Sequence, residues 1–79
     1  NDTYEAYNVI QKNQGLDLEP YKGFRAKKWI FEVKNYPEYP ADSGYIRATL
    51  LVYDGAVIGG DISSIEQNGF IQGFEFPNV

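Results

Sequence analysis

Three carboxylates, Asp54, Asp61 and Glu66, fall close together in the chain. A β-hairpin that gathered them at its strand ends would set up general acid-base chemistry or a metal site. Each also has a plainer role: Asp54 opens a turn, Asp61 ends a strand or forms an Asx turn, and Glu66 is a solvated charge. The plainer roles are the expectation, because the alternating acids and closing Glu of a Ca²⁺ loop are missing. Gly55, Gly59 and Gly60 lack the spacing of a phosphate-binding fingerprint and have no helix start after a strand. They are expected to serve backbone geometry.

Two other groups of residues suggest binding rather than catalysis. Lys22, Arg25, Lys27 and Lys28, beside Tyr21 and Trp29, could hold an anionic polymer such as nucleic acid or a teichoic-type chain. Seven Lys and Arg against eleven Asp and Glu leave the chain at −4, however. A solvated outer strand with cross-strand ion pairs is therefore the better reading, with no nucleic-acid partner. Tyr36, Tyr39 and Tyr45 surround the prolines of a turn-rich stretch and offer rigid rings with polar tips, as recognition surfaces do. With Trp29 they are the expected partner-binding residues. The same rings could instead cover the end of a small core.

Composition excludes much else. With no Cys there is no disulfide, thiolate-metal site or thiol nucleophile, and with no His the usual general base and imidazole ligand are missing. Catalytic, metal-binding and cofactor-binding residues are accordingly expected to be none, and the chain is read as a non-enzyme. At 79 residues and 43% hydrophobic content it makes one small folded domain, residues 1–79. No apolar run is long enough for a membrane span. The start at Asn1 rather than Met suggests a product trimmed from something longer.

The elements that must position these residues follow from pattern. Residues 1–15 read as a helix, capped by Asp2 or Thr3 and stopped by Gly15, with Tyr4, Ala6, Tyr7, Val9 and Ile10 forming its buried stripe. Asn8 and Gln11 fall mostly outside that stripe. Residues 16–23 make a connector with one turn near Pro20, where Leu16, Leu18 and Tyr21 plug the core edge. Residues 24–35 alternate as a half-buried strand, with Trp29, Phe31 and Val33 on one face. A proline-punctuated loop over 36–44 leads to the strongest strand, 45–53, expected at the centre of the sheet. Asp54-Gly55 predicts a type I′ turn and an antiparallel return through Ile62, with Gly59-Gly60 marking a bulge or a close approach by the helix. Asn68-Gly69 predicts a second turn before a short closing strand. The fold class is α+β: an N-terminal helix packed on a three- to four-stranded antiparallel meander.

Several stretches together carry a family resemblance: Tyr4-Glu5-Ala6-Tyr7-Asn8, Gln11-Lys12-Asn13-Gln14-Gly15, Asp17-Leu18-Glu19-Pro20-Tyr21-Lys22-Gly23, Arg47-Ala48-Thr49-Leu50-Leu51-Val52-Tyr53-Asp54-Gly55, and Val57-Ile58-Gly59-Gly60-Asp61-Ile62. In these the chain resembles a domain of unknown function of clostridia and related Gram-positive bacteria, found behind a membrane or lipoprotein anchor. The resemblance implies an extracytoplasmic domain anchored at the cell envelope outside this fragment, and it implies no reaction. The expected function is thus a non-enzymatic interaction module whose partner is a protein or envelope component. A homodimer is possible through an exposed sheet edge. The alternative is an inhibitor of a protease or other hydrolase, by analogy with cystatin-like architectures in which a loop acts as a wedge.

Overall fold

The structure is a computed structural model that describes residues 1–77. Helix α1 spans Asp2–Asn13, a short 3₁₀ turn covers Glu19–Tyr21, and four strands follow: β1 Lys27–Glu32, β2 Ile46–Tyr53, β3 Ala56–Ser64 and β4 Ile71–Gln72. The strands form one antiparallel sheet in the order β1-β2-β3-β4, a helix followed by a meander as the pattern predicts.

The helix begins one residue earlier than expected. Asn1 is the cap, its side-chain oxygen accepting from the Tyr4 N–H at 2.9 Å, and Asp2 and Glu5 lie in the first turn, where the helix dipole favours negative charge. At the other end Leu16 N–H reaches back to the Gln11 carbonyl at 2.8 Å past Gly15 at φ +80°, which ties off the last turn. Asp54 and Gly55 both have positive φ, 51° and 79°, so β2 and β3 are joined by the primed turn that matches strand twist.

Pairing slips by one between β2 and β3: Leu51 faces Gly59 while Val52 faces Val57. The slip leaves Ile58 as the extra, buried residue of a bulge. Residues directly opposite share a face, so the registers assign Lys28, Ile30, Glu32, Arg47, Thr49, Leu51, Asp61 and Ser63 to one side. Trp29, Phe31, Ala48, Leu50, Val52 and Ile62 take the other side. A groove between Thr3, Tyr4 and Tyr7 of α1 and Lys28, Thr49, Asp61 and Ser63 identifies the first side as the helix side.

Two expectations about burial fail. All six residues of β1 are exposed, Trp29, Ile30 and Phe31 each by about half, although a half-buried strand was expected. In α1, Tyr4, Tyr7 and Ile10 of the predicted stripe are half-buried, but Val9 is 56% exposed while Asn8 and Gln11 are buried, so the packed face is rotated. The helix reaches the sheet at β3. A helix about 10 Å wide covers about two strands at their spacing of about 4.8 Å, which leaves Ile30 open on the helix side of β1, while Trp29 and Phe31 lie on the opposite face.

Gly60 explains the rotation of the helix. Strand β4 is two residues long and pairs only with Ile62 and Ser63, so the outer backbone edge of β3 at Gly60 has no strand beside it. The Gln11 side chain completes it: its amide donates to the Gly60 carbonyl at 2.9 Å and its oxygen accepts the Gly60 N–H at 2.8 Å. Gln14 adds a second donor to the same carbonyl at 3.1 Å and accepts from the Phe74 N–H at 2.8 Å. A helix that must present Gln11 and Gln14 to a peptide edge turns Val9 to solvent. Glycine is required at 60: φ is +154°, and a Cβ would collide with the Thr49 carbonyl and the Phe74 ring. The apolar core beside this network is small, with Ile46 and Ile58 as its buried members.

Candidate functional site

The helix-side groove holds the one buried acid among the described residues. Asp61, 4% exposed in mid-strand, accepts the Tyr7 hydroxyl at 2.6 Å, and the groove beside it encloses about 560 Å³. Burial, reinforced by that carboxylate, pushes the Tyr7 phenol well above the usual tyrosine range. Asp61 is not the strand-end residue expected from sequence. The groove lining supplies one acid, one amine (Lys28) and the hydroxyls of Thr3, Tyr4, Tyr7, Thr49 and Ser63. That set can hydrogen-bond a hydroxylated ligand, but it lacks the second carboxylate that paired acid-base hydrolysis uses.

The other two candidate acids do not line this groove. Asp54 is the first residue of the β2–β3 turn, as expected. Glu66 accepts from the Tyr39 hydroxyl and from the Ser64 hydroxyl, the latter at 2.9 Å, and the Tyr39 bond leads in holding its carboxyl below the usual range. The converse effect raises Tyr39. Among the described residues no three His, Cys, Asp or Glu side chains are grouped to hold a metal ion.

Of the four ring residues singled out from sequence, the structure gathers three and sets the fourth apart. Tyr36 packs against Tyr39, Phe70 and Phe76 at centroid distances of 6.0, 5.5 and 5.7 Å, and Tyr39 meets Tyr45 at 6.4 Å. This cluster joins the 33–45 loop to the segment after β3, where Ile65 N–H also bonds the Tyr45 carbonyl at 2.9 Å. Tyr36 and Tyr39 are half-buried by it, and Tyr45 stays 45% exposed. Trp29 stands elsewhere, on β1 beside Phe31 on the face away from α1, with Leu50 and Ala48 opposite them. Val57, 45% exposed, extends this apolar surface along β3. Lys22, Arg25, Lys27 and Lys28 are all exposed, and among the described residues the one ion pair they make is Lys22 with Glu19 at 3.5 Å, within a loop rather than across strands.

Sequence reasoning missed the polar side chains of α1. Asn8 is buried with its amide on Asp17 at 2.8 Å and its oxygen on the Leu18 N–H at 2.8 Å, pinning the connector to the helix. The Asn8 amide is the leading cause that lowers the Asp17 carboxyl. The available signal was a run of amide side chains at helical spacing, Asn8, Gln11 and Gln14, opposite a Gly-Gly pair.

Comparison with known proteins adds one positive finding. The model of a family described as Domain of unknown function (DUF4830) matches residues 1–62, from α1 through most of β3. No curated protein and no solved structure matches the chain.

Proposed function

The chain belongs to the DUF4830 family, and from that premise we propose that it is a non-catalytic, extracytoplasmic interaction module of the cell envelope. The observation that carries this reading is the surface of β1 and its neighbours. Trp29 and Phe31 stand 50% and 51% exposed side by side, on a sheet face that also presents Val57. Contiguous apolar surface of this kind is uncommon on a protein that meets only water, and it marks contact sites. Aromatic rings also contribute much of the energy of such contacts. The Tyr36–Tyr39–Tyr45 cluster reads as a clasp at the end of the sheet, because its rings already pack on partners within the chain and the Tyr39 hydroxyl is bonded to Glu66.

The test is binding of the purified domain to isolated cell-wall sacculi and to lipid vesicles. Trp29→Ala/Phe31→Ala is compared there with Tyr36→Ala/Tyr39→Ala, after circular dichroism has shown both to be folded. The first pair is expected to abolish binding and the second to leave it in place. Binding that survives loss of Trp29 and Phe31 overturns the assignment of the surface.

A further inference from the structure

Strand β1 is an edge strand whose only guards against pairing are its charges, Lys27, Lys28 and Glu32. It contains no proline and no bulge, and all six of its residues are exposed. Its open backbone groups can be identified. Val33 N–H bonds the Ile46 carbonyl at 2.8 Å, so alternate residues Phe31, Trp29 and Lys27 also point their backbone groups toward β2. Those of Lys28, Ile30 and Glu32 therefore point outward.

We infer that β1 pairs antiparallel with β1 of a second copy of this chain, joining two four-stranded sheets into one of eight. A two-fold axis through an antiparallel pair must place opposite one another residues that share a face. With the axis at Ile30, Ile30 faces its own copy, Lys28 faces Glu32 of the other chain, and Trp29 faces Phe31. The three outward-pointing residues then fall at the hydrogen-bonded positions. The two charged pairs are of opposite sign, and the aromatic residues meet at the non-bonded positions, where side chains come closest. Moving the axis by one residue in either direction loses both Lys28–Glu32 pairs. The complementarity of Lys-Lys-Trp-Ile-Phe-Glu with its own reverse is what selects a second copy as the occupant. Pairing would also extend the apolar face across the junction, and it does not depend on the envelope reading.

Charge reversal tests the register. Analytical ultracentrifugation of the wild type, up to about 1 mM, is expected to show a reversible dimer. Lys28→Glu and Glu32→Lys alone each place like charges opposite one another twice, and are expected to weaken the dimer by roughly five- to thirty-fold. An equimolar mixture of the two variants restores attraction at both positions and should form a heterodimer of wild-type affinity. Ile30→Pro, which removes an outward N–H and leaves the β2 ladder intact, should give a folded monomer. A wild type that stays monomeric overturns the inference, and so does a dimer indifferent to all three substitutions. These variants keep Trp29 and Phe31, so the envelope-binding assay can be repeated on them and fails or succeeds separately.

Discussion

Replacing Gln11 tests how the helix is held. In Gln11→Leu the size is nearly kept, while the Gly60 N–H loses the acceptor 2.8 Å away and Gln14 loses a partner at 2.9 Å. The Gly60 carbonyl retains Gln14 at 3.1 Å, so the main loss is one buried orphan donor, with a smaller loss at Gln14. At about 1–3 kcal/mol for the orphan and up to about 1 for the second bond, the cost is roughly 1–4 kcal/mol. A domain of this size has a total stability of about 4–12 kcal/mol, so Tm should fall by about 4–32 °C, at about 4–8 °C per kcal/mol. Gln11→Glu separates hydrogen bonding from volume. When protonated, the introduced carboxyl can donate to the Gly60 carbonyl and accept its N–H much as the amide does, whereas the carboxylate sets a buried charge against that carbonyl. Folding therefore raises the pKa of the introduced carboxyl above its unfolded value. The variant's stability relative to wild type is fully present below the unfolded carboxylate range and is lost as pH rises through the folded value. Urea denaturation of wild type and Gln11→Glu between pH 4 and pH 7 reads this directly. A deficit that stays constant across that range, or a Gln11→Leu protein of wild-type stability, would refute the amide-to-strand pairing.

Other perturbations have equally definite outcomes. Gly60→Ala should unfold the domain or cost several kcal/mol, because the added Cβ meets Thr49 backbone and the Phe74 ring, whereas Gly55→Ala at an open turn position should cost only about 1–2 kcal/mol; thermal melts compare the two. Tyr7→Phe removes the hydroxyl on buried Asp61 and should cost about 1–3 kcal/mol, with Asp61→Asn on the same background recovering part of it. In the wild type, the raised Tyr7 pKa supplies stability that is present below the ordinary tyrosine value of about 10 and is lost as pH rises past it; absorbance titration should show Tyr7 ionising after the solvent-exposed tyrosines. The lowered Asp17 and Glu66 pKa values work at the other end. Their stabilisation is present above the ordinary carboxylate range and is lost as pH falls through it, so Asp17→Asn should flatten the acid limb of a Tm–pH profile.

The strands were legible because their signals are local. Alternation over Ile46–Tyr53 and the Asp54-Gly55 turn each act within a few residues, and both give the structure they predict. The break near Gly59-Gly60 was legible: the bulge falls one residue earlier, at Ile58, and the two glycines admit a close approach by the helix, although that the approaching group is a glutamine was not legible. Hydropathy assigned Val9 inward and Gln11 outward, since it counts side chains and ignores unpaired backbone. Only the brevity of β4, a tertiary fact, creates the open peptide edge at Gly60 that makes an amide the best residue to bury. The exposure of β1 was likewise hidden, because Trp29 and Phe31 alternate like any half-buried strand, yet they lie on the sheet face opposite α1 and stay about half exposed there. Tyr36, Tyr39 and Tyr45 could be found by type, but the rings they face, Phe70 and Phe76, come from the far end of the chain.

The most direct test of the interaction surface is a ¹⁵N-labelled spectrum of the domain taken with and without isolated cell-wall and membrane material. Intensity is expected to fall at the Trp29 indole, Phe31 and Val57, with Tyr36, Tyr39 and Tyr45 unchanged. Signals that all persist, or changes confined to the tyrosine loop, would contradict this expectation.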